Sequence, residues 1–348
     1  MGADQALVQT LRDMAWLATP MALRVAATLR LADHIDDSGS TAGELAKLTD
    51  TSPPALTRLL AHLVTLEVLS RTEDTYFLTE LGRQLRSDAD NELLLELDID
   101  SAVGRAELAY VELEYAVRTG HAAYPRHYGR DFWSDLADTP ALRKSFDAKM
   151  TRRFQTIAPQ IAQRYDWSRF ATIVDVGGGQ GTVLSAILRT HPTVRGQLVD
   201  LPATAAHAVE EFAAAGLSDR ASVVAGSFFD PLPGGADAYL LSDILHDWDD
   251  AHAHEILSRC AEAAGPTGTI LIIEAIHDHD SHTAIDLSML VFFGGRNRTL
   301  AEFITLISAH DLHLKSVSEI ADHRTLLEIT PNPTGPERAP HRNPTDGD

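Results

Sequence analysis

The sequence predicts a two-part α/β protein. A mainly helical domain occupies about residues 1–165, and a doubly wound α/β sheet occupies about residues 166–330. Three observations carry this reading. From residue 172 onward, short apolar runs alternate with segments of helical period. The first of those runs ends in four glycines within V-D-V-G-G-G-Q-G, residues 174–181. The preceding half is of helical period throughout, apart from one hairpin signature. At 348 residues and 44% hydrophobic content, the chain can fill both cores.

In order along the chain, residues 21–35 read as an Ala/Leu-rich amphipathic stretch in a helical region. Residues 41–48 and 54–66 read as two short helices joined by a Ser-Pro-Pro turn, because proline is at home in the first turn of a helix. Leu69-Ser-Arg, a Glu-Asp turn and Tyr76-Phe-Leu then form a hairpin. Two helices and a hairpin make a winged-helix pattern, which invites a DNA-binding reading. The would-be recognition helix carries only one Lys or Arg, Arg58, whereas DNA demands several phosphate contacts. Its apolar face points instead to packing against another subunit.

In the second half, strands are predicted at 172–176, 197–200, 222–225, 238–241, 269–274, 312–320 and 325–329, with helices such as 182–188 and 253–264 between them. The last two strands read as a closing antiparallel hairpin. Residues 331–348 contain no large apolar side chain and are expected to be a disordered tail.

A net charge of −21 disfavours nucleic acid and anionic membranes as partners. No apolar run reaches the length of a membrane span, and no N-terminal signal pattern is present. The single cysteine, Cys260, fits a cytoplasmic protein without disulfides and falls in a helical pattern that suggests packing.

The glycine cluster follows a strand and opens a helix, the arrangement that lets main chain approach a nucleotide-like ligand. The dinucleotide spacing G-x-G-x-x-G is not met: from Gly177 its third glycine would fall on Thr182, and from Gly179 on Leu184. Asp175 stands two residues before Gly177, where a carboxylate repels a pyrophosphate and suits a cation such as S-adenosylmethionine. Asp200, about 20 positions after Gly179, ends the second strand at the usual spacing for gripping ribose hydroxyls. His246 follows the strand at 238–241 and Glu274 ends the next, so both are expected at the C-terminal edge of neighbouring strands, where such sheets place ligands. A carboxylate bonded to one ring nitrogen would fix the tautomer of a general base. The run H-D-H-D-S-H at 277–282 looks like a metal cluster but lacks apolar framing, and is read as a solvated loop with no metal.

V-D-V-G-G-G-Q-G, G-S-F-F-D-P-L-P, L-H-D-W-D-D and F-G-G-R-N-R-T together resemble the plant-type and actinobacterial small-molecule O-methyltransferases, over about residues 14–330. L-A-T-P-M-A-L-R and A-Y-P-R-H-Y-G-R-D-F-W resemble, more narrowly, enzymes that methylate aromatic polyketide acids of the naphthoate type in antibiotic pathways. The resemblance implies a Rossmann-like class I methyltransferase sheet behind a winged-helix domain that dimerises and walls the acceptor site. It also implies transfer of a methyl group from S-adenosylmethionine to a phenolic hydroxyl, with His246 as base and Glu274 as its acidic partner.

The cofactor would be held by Asp175, Gly177, Gly179, Asp200, Ser227, Phe228, Phe229 and Ser242. The acceptor pocket would draw on Phe132, Trp133, Phe146, Met150, Trp248, Met289, Phe292 and Phe293, with Gly294 beside them, and Arg12 would meet a substrate carboxylate. The chain departs from the family twice: Asn297 stands where a second acid is usual, and Ser227 where an acid commonly contacts the adenine. The alternatives are a nicotinamide-dependent oxidoreductase, disfavoured by the glycine spacing and closing hairpin, and a winged-helix regulator with a non-catalytic cofactor domain, disfavoured by the His246–Glu274 pairing.

Overall fold

The computed structural model describes residues 3–276 and 283–332. Its contacts divide the chain between Thr156 and Ile157, with Ala284–Gly294 returning to the first unit. The sequence-based boundary at 165/166 is therefore displaced. The division falls inside one long helix, Pro140–Gln163. The later excursion arises because helix Thr283–Phe293 buries Val291 and Phe292 in the first unit's core. The 277–282 run lies outside the described residues.

The first unit opens with an amphipathic helix, Ala3–Ala15, and a second, Ala18–Thr28. The amphipathic stretch at 21–35 is not one continuous helix. Arg30 adopts φ +53° and a one-turn 3-10 helix, Leu31–His34, follows. The kink turns Leu31, Ala32 and Ile35 into the core, while the Arg30 guanidinium pairs with Asp98 at 2.7 Å. Helices Ala42–Leu48 and Pro53–Thr65 come next, the first opened by a Thr41/Glu44 capping box and the second by proline at its start. Leu56, Leu60 and Leu63, at helical spacing, are buried. A hairpin of β2 (Leu69–Thr72) and β3 (Thr75–Leu78) pairs with the short β1 (Ser40–Thr41) in the order β1-β3-β2, completing the winged-helix topology. A second cluster of this unit gathers Tyr124, Phe132, Leu136, Val291 and Phe292.

The second unit is a seven-stranded sheet of β4 (Thr172–Val176), β5 (Arg195–Asp200), β6 (Ala221–Ala225), β7 (Ala238–Ser242), β8 (Thr269–Glu274), β9 (Leu312–Ala321) and β10 (Arg324–Pro331). Their order is β6-β5-β4-β7-β8-β10-β9. All pairs are parallel except those of β10, which runs antiparallel to both β8 and β9. β10 extends through Pro331, the first residue of the expected tail; residues 333–348 lie outside the described residues. The central strands are buried on both faces and accordingly read as unbroken apolar runs, T-I-L-I-I-E in β8 being buried throughout. From β4 the chain winds one way through β5 and β6, then returns to add β7 on the other side. This reversal creates the crevice beyond the carboxyl ends of β4 and β7 where α/β sheets bind ligands. Among the described residues, no helix is long and apolar enough to cross a membrane.

Candidate active site

Beyond β4 the chain turns through Gly177, Gly179 and Gly181, with φ of +72°, +60° and +80°. A side chain would be strained at each, and at Gly177 a Cβ would also lie 2.6 Å from the Ile244 Cδ1. Over Gly179, by contrast, nothing among the described residues lies within 4 Å of a Cβ position. The Gly179 N–H donates to Asp200 Oδ2 at 2.9 Å and the Leu201 N–H to Oδ1 at 2.7 Å, which ties the turn to the end of β5. Asp175 is 1% exposed, and its Oδ2 has no hydrogen-bond partner among the described residues. Burial, and then the charge of Asp200, push its carboxyl up to about 7. The Oγ of Ser242, at the end of β7, is likewise buried without a partner among the described residues.

Phe228 borders Gly177, its ring 3.2 Å from where a Cβ would stand. Ser227 Oγ accepts the Phe229 N–H at 3.2 Å and shapes this bend. The Phe229 ring packs edge-on against Trp248 and His252, bracing the loop. A left-handed glycine turn at the switch point, two buried polar atoms awaiting partners and a bordering aromatic ring fit a cofactor that combines a nucleoside with positive charge.

Beyond β7 lies a one-turn helix, Leu245–Asp247, that carries His246. Its Nδ1 is 2.6 Å from Glu274 Oε2 at the end of β8. Glu274 Oε1 accepts the Leu245 N–H at 2.8 Å, so one buried carboxylate fixes both the ring and the backbone beneath it. Asp247 Oδ1 stands 3.3 Å from the other ring nitrogen, Nε2. Burial opposes the charged ring, but the fields of Glu274, Asp247 and Asp243 outweigh it and push the imidazole up to about 9.

Asp243, Asp247 and Arg324 did not figure in the sequence reading. Asp243 adopts φ +53° and is held by Arg324 Nη2 at 2.9 Å in a nearly buried ion pair. One ligand atom each of Asp243, His246 and Glu274 lies within 4.8 Å of the others, a donor set that suits a divalent metal. At 2.6 Å, however, Glu274 and the ring share a hydrogen bond with no space for an ion between them, and Arg324 already balances Asp243.

In the first unit the structure brings together Trp133, Phe146 and Phe293. Trp133 stacks on Phe293 with centroids 5.2 Å apart and meets Phe146 edge-on at 5.7 Å, over a buried Phe132. Met150, on the same helix as Phe146, is half-buried. Gly294 ends helix Thr283–Phe293 with φ +76°. Arg12 is not gathered with them: it is exposed on Ala3–Ala15 and has no hydrogen-bond or ion-pair partner among the described residues. Trp248, expected in the acceptor pocket, belongs to the second unit and packs on Phe228 and Phe229.

Residues 110–311 match the model of the O-methyltransferase domain, and residues 13–88 that of the O-methyltransferase dimerisation domain. The chain is 48% identical over 324 residues to 2,7-dihydroxy-5-methyl-1-naphthoate 7-O-methyltransferase of Streptomyces carzinostaticus, covering 92% of this chain and 97% of the relative. It is 42% identical over 328 residues to aclacinomycin 10-hydroxylase RdmB of Streptomyces purpurascens, covering 90% and 86%. An O-methyltransferase from neocarzinostatin biosynthesis, NcsB1, crystallised with S-adenosylmethionine and 2-hydroxy-5-methyl naphthoic acid, matches with a TM-score of 0.88 at 47% identity, covering 92% of this chain and 98% of that one. With a parallel sheet closed by an antiparallel hairpin, a left-handed glycine turn at the switch point and both domain models matched, the chain belongs to the O-methyltransferase family and is an S-adenosylmethionine-dependent enzyme.

Proposed function

We propose that this enzyme methylates a phenolic hydroxyl of an aromatic polyketide acid of the naphthoate or orsellinate type, with His246 as the base. The observation that carries the chemistry is the doubly anchored His246–Glu274 pair. S-adenosylmethionine supplies a methyl carbon made electrophilic by its sulfonium and leaves as the thioether. The protein must hold the acceptor in line, remove its proton and exclude water. A free phenol titrates near 10, so it arrives protonated at neutral pH. With Nδ1 bonded to Glu274, the neutral tautomer leaves Nε2 to take that proton, and Glu274 steadies the resulting imidazolium. The raised affinity of the ring for protons matches a phenol; a cationic cofactor nearby would lower it and increase the neutral fraction.

We assign cofactor binding to Asp175, Gly177, Gly179, Asp200, Ser227, Phe228 and Ser242, with Phe229 as a brace. The acceptor ring is assigned to Trp133, Phe146, Met150, Phe293 and Gly294, and its carboxylate to Arg12. The aromatic stack suits a flat acceptor, and the naphthoate relative supports the acid class. Arg12 would act from a second copy of the chain. Helix Ala3–Ala15 exposes Leu7, Leu11 and Met14 along one stripe, an apolar face uncovered by the described residues, within a chain that carries a dimerisation domain. A monomer in sedimentation would remove this part of the reading.

The hydroxylase among the relatives means that the reaction has to be tested directly. With methyl-labelled S-adenosylmethionine and hydroxynaphthoic acids, label is expected in an aryl methyl ether. His246→Ala should lower kcat by about 10² to 10⁴ while cofactor affinity is kept. A product that gains oxygen and no label, or an unimpaired His246→Ala enzyme, would refute the proposal.

A further inference from the structure

The turn that carries His246 is held on more sides than Glu274 accounts for. Arg298 is 3% exposed. Its Nη1 donates to the carbonyl of Leu245 at 2.6 Å and its Nη2 to that of Trp248 at 2.9 Å, the residues on either side of the His246–Asp247 pair. Nε and Nη2 also bond to Asp250 Oδ1, at the start of the helix that follows. Three residues earlier on the same segment, Gly295 lies flush against the turn. A Cβ there would sit 2.3 Å from the carbonyl oxygen of His246 and 2.4 Å from the carbonyl carbon of Asp247. These neighbours are backbone, so they cannot give way without moving the ring.

The segment is itself well anchored. Thr299 and Glu302 form a capping box that starts helix Leu300–Ser308, and Phe303, Leu306 and Ile307 of that helix are buried in the sheet's core. The planar fork of arginine serves two carbonyls and a carboxylate at once, which the single ammonium of lysine cannot reproduce.

We propose that Gly295 and Arg298 are positioning residues for His246, forming with Glu274 a three-point mount that sets where the imidazole stands. This rests on the reading of His246 as the base. A misplacement of about 1 Å is enough to cost on the order of 10² in rate, so a mount of this kind has kinetic consequences through the ring it holds.

The test is a double-mutant cycle on the full-length enzyme, with Arg298→Lys and Gly295→Ala each made alone and together with His246→Ala. Acceptor kcat and KM, S-adenosylmethionine affinity by calorimetry and thermal melting are measured for every variant. Arg298→Lys and Gly295→Ala are each expected to lower kcat by about 10 to 10²-fold, with cofactor affinity within twofold, and to add nothing further when His246 is already Ala. Losses that multiply in the His246→Ala background, or a kcat within twofold of wild type for both variants, would overturn the mount while leaving the base assignment standing. An unimpaired His246→Ala enzyme would remove the base assignment itself. If Arg298→Lys does not fold, Gly295→Ala, which removes no charge or hydrogen bond, decides alone.

Discussion

The two turns beyond β4 and β7 leave neighbouring strands of one sheet, yet they are built in opposite ways. The glycine turn after β4 is open: three left-handed glycines, clear space over Gly179 and a buried Asp175 oxygen without a partner among the described residues. The turn after β7 is closed: the Leu245 N–H, the Leu245 and Trp248 carbonyls and the Nδ1 of His246 are all engaged. On the function proposed above, the difference follows from what each turn would have to do. A cofactor that is exchanged every cycle needs donors, charge and room offered to it. A base that takes one proton from one hydroxyl needs its ring held still. The buried Asp175 oxygen without a partner among the described residues thus sets the glycine turn apart from the backbone of the His246 turn, whose groups are bonded.

Three changes test this contrast, in order of expected effect. Glu274→Gln keeps the shape of the mount but removes its charge. A carboxamide can also donate to Nδ1 and so turn the tautomer the wrong way, and a loss of about 10²-fold in kcat is expected at pH 9. Wild-type kcat/KM should rise with pH through the value of about 9 at which His246 loses its proton, since the base acts deprotonated. In the Gln variant that limb should move toward lower pH, because the largest charge holding the proton is gone. A pH–rate profile whose limb stays in place would show that the ring is not mounted on Glu274 in solution.

Asp175→Asn acts on the open half. In the folded protein this carboxyl titrates near 7 against an ordinary value of 3.8. Folding therefore becomes less favourable as pH rises between about 4 and 7, and the cost of the buried charge is fully present above that window. The Asn variant should accordingly melt higher than wild type without cofactor at pH 8, by an amount worth a few kcal/mol at most, and equally at pH 4. It should also bind the cationic cofactor about tenfold more weakly. Higher stability together with unchanged affinity would mean that Asp175 does not answer the positive charge. The smallest effect is expected from Arg12→Ala, which touches neither turn. KM for the acid should rise several-fold and far more than for its methyl ester, with the pH limb and cofactor affinity unchanged; equal shifts for acid and ester would free Arg12 from the carboxylate.

Much of the open half is legible in the chain itself. Gly177, Gly179 and Asp175 lie within five residues of one another, and a strand-turn-helix with that spacing has few other uses. His246 and Glu274 are readable for a related reason, since each ends or follows a buried apolar run and consecutive strands tend to be neighbours. The break at Arg30 is not readable, because what accompanies it is distant in sequence: a pairing with Asp98 and the burial of Leu31, Ala32 and Ile35 among the other helices of the unit. Asp243 and Arg324 escape for the same reason. They meet because β10 inserts antiparallel beside β8 and brings Thr325 opposite Glu274, a register that no local pattern announces. Arg298 lies in the family-like segment F-G-G-R-N-R-T, but nothing local shows that its guanidinium closes on the turn after β7.

By itself, then, the sequence determined what is short-ranged: the alternating elements, the glycine turn with its acid, the strand-end imidazole and carboxylate, and the family these motifs announce. Only the tertiary structure decided which groups remain unsatisfied beside the glycine turn and which close around His246. Periodicity and backbone preference act over a few residues, whereas saturation of a buried polar group depends on whatever the folded chain brings within about 3 Å of it.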